Sequence, residues 1–244
     1  MKKKVLFILV CVFTRLTAIN AQDLATDSSF LNSSLSSTRS QYMKTMGAGS
    51  YLYNGTAYER YWNGMVGHPF FTSEEFRQGN LFYNGSLYED VPLMYDMSRD
   101  VLVSKNFLKE LNVKLLGEKI SYFNIGKNTF VRIVADSSTS ASMSTGFYER
   151  LYKGTVTVLG KYQKRIENSM NAADKITKFV EHDYYYIEKD GKYHLISGES
   201  DILSLFKEQR AELRKFLNRR EINFKKDPAG TVVQAATYYE QLKK

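Results

Sequence analysis

Between residues 51 and 199 apolar and polar positions alternate in short runs, and the runs are broken by Asn-Gly, Lys-Gly and Asp-Gly pairs. A period of two marks a strand with one face toward a core and one toward water, and the glycine pairs mark the turns between strands. "NLFYNGSLYEDV" reads as strand, turn, strand, with Asn84-Gly85 as the pair best suited to a type I′ turn, in which both central residues have positive φ. "KISYFNIGKNTFVRIVAD" gives a second hairpin turning near Gly126 to Asn128, and "GFYERLYKGTVTVLGKYQKRIE" a third at Lys153-Gly154. "FVEHDYYYIEKDGKYHLI" gives a fourth at Asp190-Gly191. In the second arm of the third hairpin Val156, Val158, Tyr162 and Ile166 share one parity, and Thr155, Thr157, Lys161 and Arg165 share the other. That spacing predicts a dry face and a wet one.

The period changes after residue 199. Leu203, Phe206, Leu213, Phe216 and Leu217 follow helical spacing, with Lys207, Arg214, Arg219 and Arg220 on other sides and Ser200 as the expected N-cap. Asp227-Pro228 is a cap followed by proline at the first helical position, and places Val233, Ala236 and Tyr239 or Glu240 near one side of a last helix. The expected fold is therefore α+β and mainly β. An antiparallel meander over 51–199 forms a curved sheet, partial barrel or sandwich, and a helical hairpin over 200–244 packs on it.

The N-terminal 50 residues differ from both. Residues 1–21 run from Lys2, Lys3 and Lys4 through an apolar stretch, Val5 to Phe13, to Ala21, the order of a secretory signal peptide cleaved after Ala21. The apolar stretch is too short to cross a bilayer, which needs ~20 residues. Residues 22–50 are serine-rich and poor in apolar side chains, which predicts a flexible arm with a short helix near Gln41 to Met46. Without the leader the net charge falls from +8 to +4, because Lys2, Lys3, Lys4 and Arg15 leave with it. That excess is too small and too spread to imply nucleic acid. Cys11, the only cysteine, lies in the leader, so neither disulfides nor thiol chemistry are expected beyond it. The run "RKFLNRRE" has two readings: a solvated helix face, or a peripheral contact with anionic membrane through Arg214, Lys215, Arg219 and Arg220.

One motif occurs twice, as "YNGTAYERY" from Tyr53 and as "YNGSLYEDV" from Tyr83. Tyrosines flanking an Asn-Gly turn stabilise a hairpin by roughly 0.2–1 kcal/mol through cross-strand contacts, so a structural use of Tyr53, Tyr58, Tyr83 and Tyr88 is expected. The same four with Tyr95 are also the candidate binding residues, as a tyrosine-rich sheet surface. The acidic candidates are Glu89, Asp90, Asp96 and Asp100 in "YEDVPLMYDMSRD", with Arg99 beside them. Two of these carboxylates facing one cleft would suit glycoside hydrolysis, and a cluster of them would suit calcium. Asp90, Asp96 and Asp100 share strand parity, but Pro92 is expected to interrupt the strand. Of the histidines, His182 and His194 sit on neighbouring arms of one hairpin, and His68 opens the aromatic stretch "GHPFF". Neither they nor any nucleophile or phosphate-loop motif predicts a metal or cofactor.

At "GHPFF", "YNGSLYEDVPLMYDMSRDVLV" and "ELRKFLNRREINFKKDPAGTVVQAATYYE" the chain resembles a group of uncharacterised exported proteins of Bacteroidetes, over most of residues 50–240. The resemblance implies the periplasm or the outer membrane and carries no activity with it. The function expected is a non-enzymatic envelope protein that binds a protein or glycan partner. The alternatives are a glycan hydrolase using two of the carboxylates between 89 and 100, and a carrier of lipid or another small ligand in a cavity of the sheet.

Overall fold

A computed structural model describes residues 52–243 apart from 107–109, 137–138, 140–142 and 171–174. The leader, the serine-rich arm and the short helix predicted near Gln41 lie outside the described residues. Eleven strands form one open, curved antiparallel sheet: β1 (Thr56–Ala57), β2 (Arg77–Tyr83), β3 (Ser86–Asp96), β4 (Val101–Asn106), β5 (Leu111–Lys114), β6 (Ile120–Ile125), β7 (Asn128–Ile133), β8 (Gly146–Lys153), β9 (Thr157–Met170), β10 (Lys175–Lys189) and β11 (Lys192–Ile196). Their order is β1-β5-β4-β3-β2-β6-β7-β8-β9-β10-β11. Three helices follow: α1 (Glu199–Leu205), α2 (Arg210–Arg219) and α3 (Pro228–Leu242).

The predicted turns at residues 84, 126 and 190 form as the turn chemistry demands. Asn84 and Gly85 adopt φ of 48° and 75°, and Asp190 and Gly191 adopt 53° and 72°, the left-handed pair of a type I′ turn. The first copy of the repeated motif behaves differently. Gly55 has no positive φ, and Thr56 and Ala57 pair with Lys114 and Val113 of β5. The expected hairpin at Asn54-Gly55 does not form, because the chain on its C-terminal side is taken up by a distant strand.

The strand parity fails at three places: Ile166, on the side predicted to be dry, is 44% exposed, and two further departures each have a physical reason. Pro92 does not interrupt β3; it lies inside the strand opposite Gln78. The irregularity is a bulge two residues earlier, where the register shifts between Gly79 and Leu81 and Asp90 takes a φ of 53°. A bulge turns its residues out of the pleat, so Glu89 and Asp90 face solvent. In β9, Lys161 stands on the side predicted to be wet yet is buried. Both faces of this strand are covered. Val158, with Tyr185 and Ile187 of β10, packs against the helices, while Leu159, Tyr148 and Tyr186 form a separate cluster with Met143.

The helices share a single core with the sheet. Ile202, Leu203, Phe206, Leu213, Leu217, Val232, Ala235, Ala236 and Tyr239 pack on Val158, Ile187 and Ile196. The apolar side chains at 203, 206, 213 and 217 are buried as their spacing predicts, but a 3-10 turn, Lys207–Gln209, separates α1 from α2. Ser200 is not the cap of α1, which begins after Gly198. Asp227 does cap α3, its Oδ1 accepting from the Gly230 amide at 2.8 Å, with Pro228 in the first turn.

At the centre of the sheet Tyr95, Phe123, Phe130 and Phe147 form an aromatic cluster with ring centroids 4.9–6.0 Å apart. Phe71 covers it from the segment before β2, 5.0 Å from Phe130 and 5.8 Å from Tyr162. The same segment prolongs the β2–β3 ladder through a bridge between Phe70 and Asp96, and its Val66 bridges Lys178 on the outer edge of β10. Thus residues 58–76 are strapped across from β3 to the far hairpin.

Candidate functional site

The turn between β3 and β4 holds two carboxylates with different surroundings. Asp96 is fully buried. It accepts from the Tyr58 hydroxyl at 2.9 Å, the Tyr61 hydroxyl at 3.2 Å, and the amides of Ser98 and Arg99 at 2.8 and 3.0 Å. Arg99 lies across the same two tyrosines, its guanidinium 3.9 Å from the Tyr61 ring centre and 5.4 Å from that of Tyr58, and donates to the Glu59 carbonyl at 2.5 Å. A short acidic turn thereby anchors the strap that carries residues 58–61.

Asp100 faces the other way. Its Oδ2 is 2.7 Å from Lys161 Nζ, and its Oδ1 accepts from the Tyr95 hydroxyl at 2.5 Å. The Phe147 amide donates to Asp100 at 3.3 Å, and Lys161 donates to the Phe147 carbonyl at 3.1 Å. The turn is thus wedged where β8 and β9 part, with Asp100 and Lys161 satisfying backbone groups that the ladder leaves open. Burial lowers the Lys161 ammonium below its ordinary range, against the pull of Asp100. Asp100 tolerates its φ of 55° because a short polar side chain is accepted there.

The four carboxylates weighed for hydrolysis therefore do not face one cleft. Glu89 and Asp90 are exposed at the bulge, Asp96 is sealed under two tyrosines, and Asp100 is ion-paired on another side of the turn. The tyrosine surface does not form either. Tyr58, Tyr83, Tyr88 and Tyr95 are buried and Tyr53 is half-buried. The histidines stay apart: His182 meets Glu167 at 3.1 Å, and His194 lies opposite Ile187, five residues further along β10. Among the described residues no three His, Cys, Asp or Glu side chains gather as a metal site would require. The middle of the sheet is filled by the aromatic cluster, where a carrier would need a cavity.

What the fold does build is a cleft of about 600 Å³ beside the strap. Aromatic side chains wall it: Tyr58, Tyr61, Trp62, Phe70, Phe76 and Phe179. Polar groups interrupt the walls, namely Arg60, Asn63, Glu74, Glu75, Lys105 and Asn112. Phe179 comes from β10 and meets Tyr61 edge-on at 5.1 Å, so the cleft depends on the far hairpin reaching back to the strap. Trp62, the only tryptophan in the chain, is 70% exposed at this cleft. Its indole folds back over Gly64, where a Cβ would stand 2.1 Å from the ring, so a side chain there would push the indole aside. The one sequence signal for this site was that solitary tryptophan, set in the polar stretch "YWNG".

Buried hydroxyls tie this region to pH. Burial, and then the neighbouring Asp96, pushes Tyr58 up, and burial raises Tyr61 to about 12. Tyr95, Tyr148, Tyr162 and Tyr185 are also pushed up, first of all by burial. The folded chain keeps these hydroxyls neutral to higher pH than the unfolded chain, whose tyrosines ionise near 10. Their contribution to stability is therefore intact below about pH 10 and is lost as pH rises through the folded-state values. Alkaline titration is expected to show the tyrosinate absorbance band rising together with the loss of sheet circular dichroism. A tyrosinate rise for most tyrosines with the sheet intact would contradict this.

Strap, acidic turn and aromatic cleft define an open antiparallel sheet with a built-in recess and a helical buttress. Comparison with protein families, with curated proteins and with solved structures gives no significant match. Among the described residues no helix is long and apolar enough to cross a membrane.

Proposed function

We infer that this is a non-enzymatic binding protein, exported to the cell envelope, which holds a glycan chain in the aromatic cleft. The observation that carries this is Trp62, an indole 70% exposed that lies over Gly64 at a recess already walled by five other aromatic rings. A flat exposed ring offers a platform for the apolar face of a sugar. Asn63 and Asn112 can donate and accept, Glu74 and Glu75 accept, and Arg60 and Lys105 donate, which suits a ligand bristling with hydroxyls. Six polar side chains thus alternate with six aromatic ones along its walls. Export is supported by the order of the first 21 residues.

The test uses the single tryptophan. Titration with a panel of neutral, amino and acidic oligosaccharides, followed by Trp62 fluorescence, is expected to give a saturable change for at least one member. Trp62→Ala, followed by calorimetry with that sugar, is expected to weaken binding about 30-fold, as loss of a central aromatic anchor costs ~2 kcal/mol. Equal binding by the alanine variant would place the ligand elsewhere. A protein captured equally well with and without Trp62 would replace the glycan as partner.

A further inference from the structure

We propose that α2 and the connection to α3 form a docking face for an anionic lipid bilayer. The charge of the chain is unevenly placed. Residues 207–226 carry eight basic side chains against three acidic ones. Outside this stretch and the first 21 residues, 22 basic and 23 acidic residues almost cancel. The positive excess is therefore local.

The fold brings that excess to the surface. Leu213 and Leu217 turn inward onto the shared core. Arg210, Arg214, Lys215, Arg219, Arg220, Lys225 and Lys226 are all exposed, and among the described residues none has an ion-pair partner. Seven like charges confined to one helix and the loop beyond it repel one another, a cost that a neutralising surface removes. Beneath them Phe216 stacks on Tyr238 at 4.1 Å with the rings nearly parallel, and Arg220 lies 5.4 Å from the Phe216 ring. That stacking gives the basic side chains a firm base. A bilayer rich in anionic headgroups is the partner this pattern fits, because it asks for positive charge over an area and for no particular side-chain geometry. No residue of the three helices lines the aromatic cleft, so docking leaves the cleft open.

The test is co-sedimentation of the purified protein with vesicles of phosphatidylethanolamine containing about a quarter phosphatidylglycerol, set against neutral phosphatidylcholine vesicles. Binding to the anionic vesicles only is expected, falling steeply as salt is raised and the screening length shrinks to a few ångströms. Each basic residue near such a surface contributes roughly fivefold, so R214E/K215E/R219E is expected to weaken binding by at least 100-fold. R214Q/K215Q/R219Q, which disturbs the helix less, is expected to lose roughly 100-fold. The control K127E/R150E/K153E makes the same change in net charge at exposed positions on β-hairpins and is expected to leave binding within about threefold of the wild type. No binding, equal binding to neutral vesicles, or equal losses in the helix and control variants would each overturn the proposal.

Discussion

Replacing Lys161 with alanine is expected to cost about 3 kcal/mol of stability. The side chain of Lys161 is 4% exposed and that of Asp100 is 27% exposed. Removing the lysine leaves a largely buried carboxylate without its counter-charge and the Phe147 carbonyl without its donor. Breaking one side of a buried pair typically costs about 3–5 kcal/mol, and the partial exposure of Asp100 sets the expectation at the lower end. Asp100→Asn keeps a residue that accepts the left-handed backbone but strands the ammonium, and is expected to cost roughly 2 kcal/mol. The double variant K161M/D100N is expected to recover most of the loss, since an uncharged replacement of a buried pair is often close to neutral. Urea denaturation checks all three, through shifts of the midpoint at constant slope. A Lys161→Ala midpoint indistinguishable from that of Lys127→Ala, an exposed control, would mean that the ion pair does not hold the fork between β8 and β9.

Asp96→Ala is expected to cost about 2–4 kcal/mol and to loosen the cleft as well. The substitution leaves two tyrosine hydroxyls and two turn amides without their acceptor, and buried groups stranded in this way cost about 1–3 kcal/mol each where water cannot replace the partner. Asn at this position keeps one acceptor oxygen and is expected to lose about half as much. Tyr61 is the chain neighbour of Trp62, so freeing its hydroxyl frees the strap. Trp62 fluorescence anisotropy in the folded protein is expected to fall in Asp96→Ala and to stay unchanged in Lys161→Ala. An unchanged anisotropy in Asp96→Ala would show that the acidic turn does not position the cleft wall.

What was legible in the sequence follows the range over which each feature is decided. Asn84-Gly85 and Asp190-Gly191 specify their turns within four residues, so their hairpins and the mainly β architecture could be read directly, whereas the choice among open sheet, partial barrel and sandwich is made by long-range pairing. The Asp227-Pro228 cap and the burial of Phe206, Leu213 and Leu217 are equally local. Asn54-Gly55 carries the same letters but loses its hairpin to β5, nearly sixty residues away, which no local rule foresees. Lys161 was misplaced because alternation reports which side a residue faces and says nothing of what else arrives on that side, here the turn bearing Asp100. The carboxylates were misread for a related reason: a bulge at Asp90 and the turn over residues 97–100, which carries Asp100, break the parity that had aligned them. The cleft was invisible because its walls come from residues 58–76, from β3 to β5 and from β10, and only the folded chain assembles them.

The strand order has a consequence for how the chain reaches this state. Eight of the ten neighbouring pairs in the sheet join strands consecutive in sequence, and only β1–β5 and β2–β6 do not. Consecutive hairpins close short loops, which is entropically cheap and fast. The β2–β6 seam must wait until β3 to β5 have looped out and returned, and it consists of three residue pairs with a register shift between Phe82 and Tyr83. The local hairpins of β2 to β5 and of β6 to β11 are therefore expected to form before the seam at Leu81 and Phe123 joins them. Until it shuts, the edges of β2 and β6 stand unpaired, and an unpaired edge is a template for aggregation, so variants that weaken this seam are expected to aggregate more readily on refolding.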